Sequence, residues 1–170
     1  PNDELFEAHT IRKKYLLGYA NSELGRALDA DTLTIGFARR AATYKRAQLL
    51  FHDMDRLLEI GHGKIQVVFS GKAHPKDQGG KEIIQEIVNK ANDIFRSVKI
   101  IFLPNYNMWL GRLITSGVDL WLNTPLRPNE ASGTSGMKAT LNGVPNFSVL
   151  DGWWEEGCQE GINGWAIGDP

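Results

Sequence analysis

Five short apolar runs recur along the chain: Leu33-Thr-Ile-Gly-Phe37, Lys64-Ile-Gln-Val-Val-Phe69, Val98-Lys-Ile-Ile-Phe-Leu103, Val118-Asp-Leu-Trp-Leu122 and Asn146 to Leu150. Runs this short and this rich in Ile and Val suit strands buried on both faces. Between them, apolar residues fall at helical spacing. One set is Ala47, Leu50, Met54, Leu57 and Leu58; the next is Ile83, Ile87, Ala91 and Ile94, with Ile84, Val88 and Phe95 alongside. A further helix is expected near Met108 to Thr115, and a leading amphipathic helix over residues 3 to about 27, where Leu5, Phe6, His9, Leu16, Leu17, Tyr19 and Leu24 mix with charge. Parallel strands need crossover connections, so the alternation of strand and helix calls for a parallel sheet with helices on both faces. The expected class is α/β: a doubly wound, Rossmann-like parallel sheet, one domain over residues 1–170. The glycine- and tryptophan-rich end, Gly152 to Trp165, has no period and reads as an ordered surface loop.

Size and charge narrow the partners. With 170 residues, 42% hydrophobic and 23% charged, the chain can bury one core and is too short to argue for two. A net charge of −1 provides no general field for nucleic acid or an anionic membrane, so any anion site is local. The lone Cys158 excludes an internal disulfide and the start shows no apolar leader, which makes a cytoplasmic setting the default. Pro1 in place of methionine suggests processing or a cut chain. No apolar run approaches the length of a membrane span, and the Asn146-Phe-Ser148 sequon falls in an expected strand, where it reads as accidental. His9, His52, His62 and His74 have no metal spacing with one another or with Cys158, so no metal site is expected. Asp119 and Asp151, at strand edges, are expected to cap neighbouring helices.

In doubly wound sheets ligands gather at the carboxyl ends of the strands. The chemistry-bearing residues fall there: Arg39, Arg40 and Lys45 after the first run, Gly71 and Lys72 after the second, Asn105 and Tyr106 after the third, and Glu130 to Lys138 after the fourth. The last segment, Glu-Ala-Ser-Gly-Thr-Ser-Gly-Met-Lys, reads as a turn entering a helix. Gly133 and Gly136 permit close backbone approach, and the free amides of a helix start attract a phosphate. Lys138 would lie in the first turns of that helix, where the dipole disfavours a cation, so it reads as a phosphate partner or an amine kept for imine chemistry. The plainer alternative is a helix capped by Ser132 or Thr134 with Lys138 in solvent. Arg39, Arg40, Lys45 and Arg46 place four cations within eight residues, a set suited to a dianion. Taken alone, Arg39 and Arg46 read equally well as surface charges.

Glu130 to Lys138, continued by Leu141-Asn-Gly143, resembles the pyridoxal-phosphate lysine segment of the glycogen and α-glucan phosphorylases. The resemblance recurs in order at Arg40 to Arg46, Gly71-Lys-Ala73, Phe102 to Tyr106 and Asp151-Gly152. It implies one lobe, the carboxyl-terminal one, of a two-lobed glycosyltransferase fold of the GT-B type. The implied reaction is reversible phosphorolysis of an α-1,4-glucan (glycogen, starch or maltodextrin) to glucose 1-phosphate with retained configuration. The implied cofactor is pyridoxal 5′-phosphate acting through its phosphate. The implied partners are the glucan, inorganic phosphate, glucose 1-phosphate and the amino-terminal lobe, in an enzyme that can be a homo-oligomer.

Residue by residue, the resemblance implies that Arg40 and Lys45 bind the substrate phosphate, that Tyr44 contacts the sugar, and that Glu130, Ser132 and Gly133 hold its hydroxyls. Arg39, Thr134, Ser135 and Gly136 would surround the cofactor phosphate, Tyr106 would pack by its ring, and Lys138 would carry it covalently. The chain departs from the family pattern in three places. Arg39 stands for a lysine, Asn107 for a basic residue, and Ala42-Thr43 for a histidine-glutamate pair; the last variant resembles the shorter bacterial and archaeal enzymes. Two other readings stay open: a nucleotide-sugar glycosyltransferase of the same architecture, similar to glycogen or starch synthase, and a glucan-binding fragment without activity of its own. Whether a separate lobe keeps the cofactor is equally open.

Overall fold

The computed structural model describes residues 2–168. Its elements are α1 (Asn2–Leu24), β1 (Leu33–Ala38), α2 (Met54–Gly61), β2 (Ile65–Ser70), α3 (Gln78–Ile94), β3 (Lys99–Leu103), α4 (Met108–Gly117), β4 (Leu120–Asn123), α5 (Thr134–Leu141), β5 (Asn146–Val149), α6 (Trp154–Gly157) and β6 (Gly164–Ile167), with 3-10 turns at Thr43–Lys45 and Ala47–Phe51. The strands form one sheet in the order β3-β2-β1-β4-β5-β6, and every neighbouring pair is parallel. The chain is wound outward through β2 and β3, then returns to the far side of β1 and is wound outward again. The reversal leaves a crevice between the carboxyl ends of β1 and β4, the switch point at which such sheets take ligands.

The sheet is α/β and Rossmann-like, with a core on each face. Successive strand residues alternate between them. Ala38, Val68, Ile101 and Trp121 meet Leu16 and Leu17 of α1, Leu113 and Ile114 of α4 and Ala139 of α5. Phe37, Val67, Phe69, Ile100 and Leu122 meet Phe51, Leu57 of α2, and Ile83, Ile87 and Ala91 of α3. The period of two along the strands thus sorts side chains between two helical layers.

Four expectations are corrected. The helix anticipated through Ala47 to Leu58 is broken: Asp53 caps a new start by accepting from Arg56 N at 2.9 Å, so a 3-10 turn precedes α2. The Gly152–Trp165 stretch is not a loop throughout, because it contains α6 and the start of a sixth strand that pairs with β5. The leading helix ends at Leu24, before Gly25 at φ 58, and its first turns leave Leu5 and Phe6 exposed while Leu16, Leu17 and Ala20 are buried. Asp119 and Asp151 cap no helix. Asp119 receives Lys13 Nζ (2.6 Å) and Thr34 N (2.7 Å) with His9 Nε2 at 2.8 Å, and Asp151 receives the backbone N–H of Glu130 and of Gly152. Among the described residues no helix is long and apolar enough to cross a membrane.

Candidate functional site at the switch point

Two loops meet over the crevice. The one after β1 carries Arg39 to Arg46, and the one after β4 runs from Thr124 to Gly133. They are stitched together by Thr124 Oγ1 donating to Lys45 O (2.9 Å), Leu126 N to Tyr44 O (2.6 Å), and Arg46 Nε and Nη2 to Thr124 O and Pro125 O (3.0 and 2.9 Å). Arg46 is therefore a brace between loops rather than a free surface charge. A second brace comes from beyond β5. Besides Asp151 receiving Glu130 N at 2.9 Å, Trp153 N donates to Ser132 O at 2.9 Å.

These loops bound a cavity of about 410 Å³ lined by Arg39, Arg40, Tyr44, Lys45, Tyr106, Glu130 to Ser135 and Lys138. Glu130 is buried and its carboxylate receives Lys45 Nζ (2.6 Å to Oε1) and Arg39 Nη1 (3.3 Å to Oε2). Arg39 Nη2 donates to Ser135 Oγ at 2.8 Å, and among the described residues Arg39 Nε finds no partner. Burial pushes the Arg39 guanidinium below its ordinary pKa against the opposing pull of Glu130, and burial pushes the Tyr106 phenol up against the pull of Arg39. Lys45 Nζ also lies 4.6 Å from the centroid of the Tyr44 ring. Arg40 and Lys138 are exposed to the cavity, and neither has a salt bridge among the described residues.

An adjoining, more apolar cavity of about 540 Å³ is lined by Tyr106, Asn107, Met108, Gly111, Arg112 and Thr115 of the α4 end and by Ser135, Lys138 and Asn142. Tyr106, Ser135 and Lys138 line both. The pair can therefore take a ligand with an anionic end and a flat apolar body.

The start of α5 differs from expectation. Its N-cap is Gly133 at φ 82 with no side-chain cap, not Ser132 or Thr134. Lys138 is in the last turn of this eight-residue helix, so the dipole favours its charge and no longer asks for an explanation. Of the residues singled out from the sequence, Gly71, Lys72 and Asn105 do not line the cavities; Lys72 O instead receives Ala41 N at 2.9 Å, steadying the first loop from behind. Gly136 is buried within α5, on the side facing β5, where an added Cβ would lie 2.6 Å from Asn146 Oδ1, so it serves packing between α5 and β5.

The sequence comparisons agree on one relationship. Residues 2–156 match the carbohydrate phosphorylase family. This chain belongs to that family. It is 44% identical to a glycogen phosphorylase of Aquifex aeolicus over 99% of its own length and 27% of that protein. It is 46% identical to a maltodextrin phosphorylase of Thermococcus litoralis, over 99% of the chain and 22% of the relative, and 49% identical to a glycogen phosphorylase of Mycobacterium tuberculosis, over 92% and 19%. The chain thus spans about a quarter or less of the length of these phosphorylases.

Against that relationship, the residues that sequence reasoning undervalued are Asp151 and Trp153, which hold the Glu130–Ser132 backbone in place. The Asp151-Gly152 block carried the family resemblance, so the signal was present, but a strand-edge aspartate looks like a helix cap until its partner 21 residues upstream is known.

Proposed function

We propose that this chain forms one wall of the site of an α-glucan phosphorylase, which converts α-1,4-glucan and inorganic phosphate to glucose 1-phosphate with pyridoxal 5′-phosphate as cofactor. The observation that carries this reading is the convergence of Arg39, Arg40, Lys45, Lys138 and Glu130 on one cavity at the switch point. The names of the phosphorylase relatives support it. Ser132, Thr134 and Lys138 face solvent, so the other wall comes from sequence of the kind the longer relatives carry, an amino-terminal lobe, in a cytoplasmic enzyme that can be a homo-oligomer.

The residues present fit the cofactor. Thr134 and Ser135 open α5 without a side-chain cap, leaving their amides to a phosphate, and the unpartnered Arg39 Nε lies in the same buried corner as Ser135. The apolar cavity beside Tyr106 can take an aromatic ring, with the Lys138 amine at its edge. When bound, the cofactor supplies a phosphate group that can share a proton with the substrate phosphate.

The chain's own residues then have separable tasks. Arg40 and Lys45 hold the substrate phosphate through charge-assisted bonds, and Arg39 offsets the repulsion between neighbouring phosphates. Tyr44 contacts the sugar, whose hydroxyls donate to Glu130 and bond Ser132 and the Gly133 backbone. As the bond from the anomeric carbon to the glycosidic oxygen breaks, positive charge grows on that carbon. The phosphate anion held by Arg40 and Lys45 stabilises it, gives its proton to the departing glycosidic oxygen, and then bonds to the carbon.

The test is made in the complete enzyme. Arg40→Ala is expected to raise the KM for phosphate while leaving that for maltoheptaose nearly unchanged, with glucose 1-phosphate release as the assay. Loss of one charge-assisted contact costs about 1.5–3 kcal/mol, on the order of ten- to a hundredfold. Equal losses for both substrates would show that the cationic cluster serves the fold instead.

A further inference from the structure

Glu130 lies where an incoming anion belongs. Its two carboxylate oxygens both receive Lys45 Nζ, and Oε2 also receives Arg39 Nη1. All three side chains are withdrawn from solvent, at 6% exposure for Arg39 and Glu130 and 12% for Lys45. Of the four cations lining the cavity, two share this one carboxylate, while Arg40 and Lys138 have no ion pair among the described residues. A buried guanidinium such as Arg39 is not sustained without a counter-charge. A dianion offers Lys45 and Arg39 the same oxygen acceptors, and it can engage Arg40 as well, which the carboxylate does not.

We propose that Glu130 is a resident counter-ion that occupies the anion site until inorganic phosphate displaces it from Lys45. The proposal rests on the reading that Arg40 and Lys45 hold phosphate, and it adds a competitor built into the chain. Only the side chain has to turn, because the Glu130 backbone is held by Asp151. The exchange makes phosphate bind more weakly than the cation count suggests. It also releases a carboxylate into the same cavity, free to accept hydrogen bonds from sugar hydroxyls.

Inorganic phosphate is titrated calorimetrically into this chain at low ionic strength, as wild type, Glu130→Gln and Arg40→Ala. Removing the competitor is expected to tighten phosphate binding about tenfold in Glu130→Gln, the size of one net charge-assisted bond, whereas Arg40→Ala weakens it by a similar factor. Phosphate binding that Arg40→Ala weakens but Glu130→Gln leaves unchanged or also weakens overturns the proposal and leaves the phosphate site standing. Absence of phosphate binding in all three proteins, or binding indifferent to Arg40→Ala, removes the phosphate reading itself and the proposal with it. If Glu130→Gln is unfolded without anion, phosphate is added while circular dichroism is followed. Folding induced by phosphate supports the exchange. A variant that stays unfolded in saturating phosphate overturns it, because the fold then needs this carboxylate and no anion can take its place.

Discussion

Asp119, at the amino ends of β1 and β4, holds the helix α1 to the sheet, and removing its carboxylate tests how much that attachment contributes. Lys13 Nζ reaches it at 2.6 Å with only 9% of the lysine side chain exposed, and also donates to Thr32 O at 2.8 Å. Asp119→Ala therefore strands an ammonium in a nearly closed site, removes the acceptor for Thr34 N and frees His9. Breaking a buried pair from one side costs ~3–5 kcal/mol, and because the Asp119 side chain keeps 21% of its exposure the lower end, about 3 kcal/mol, is expected. The surface pair Arg56–Glu59, with side chains 61% and 69% exposed, supplies the internal control, since Glu59→Ala is expected to change stability by about 0.5 kcal/mol at most. Guanidinium unfolding at neutral pH reads both, provided that the slopes agree with the wild type. An Asp119→Ala loss under about 1 kcal/mol, or one equal to that of Glu59→Ala, would refute the claim that this carboxylate anchors the helix.

The same residue makes a pH prediction. Burial acts to raise the Asp119 pKa, but hydrogen bonds from His9, Lys13 and the Thr34 amide together hold it below its ordinary 3.8. A carboxyl that titrates lower when folded than when unfolded adds stability above the unfolded value and loses it as pH falls through the folded one. The stability gap between wild type and Asp119→Asn is therefore expected to be flat from neutral pH down to about 4 and to shrink only below it. A gap that closes between pH 7 and 5 would assign the effect to another group.

Two further outcomes follow from the site. Gly152 has φ +58, and a Cβ there would lie 2.7 Å from Ser132 O and 3.0 Å from Glu130 O, so Gly152→Ala is expected to cost at least ~1–2 kcal/mol in denaturant unfolding; a variant of normal stability would free this turn from any role in holding the loop. The isolated chain is expected to melt cooperatively yet release no glucose 1-phosphate from maltoheptaose, because an exposed site screens its charges and leaves the sugar unpositioned, and release at a rate near that of a complete phosphorylase would overturn this.

The parts of the fold that could be read from the sequence are those where local pattern and burial coincide. Strands β1 to β4 sit inside the sheet or carry dense Ile and Val, so their apolar runs stand out. β6 is an edge strand of Gly164-Trp-Ala-Ile167 in which Trp165 is 44% exposed, and with one neighbour and a glycine start it carries too little apolar signal to separate from a loop. The break before α2 was available in principle, since Asp53 precedes a helical run as an N-cap does, but the continuous apolar spacing across it masked the cap. Asp119 and Asp151 failed for a different reason. Their partners lie across the sheet and across the site, up to 110 residues away, and no local rule distinguishes such a carboxylate from a cap.

The candidate site shows the same division between residue type and partnership. Residue types located it, because cations after one strand and a small-residue turn after another converge wherever a doubly wound sheet reverses its direction. What the types did not reveal is that the carboxylate expected to meet a sugar pairs with two cations 85 and 91 residues away. Burial explains why it must. Arg39 is drawn under the loops with only Glu130 and Ser135 as side-chain hydrogen-bond partners among the described residues, and an uncompensated guanidinium there would cost the loops their packing. Two cations drawn under the loops need a counter-charge from their own chain. Glu130, held at its backbone by Asp151 and free at its carboxylate to exchange, meets that requirement while leaving Arg40 and Lys138 uncommitted.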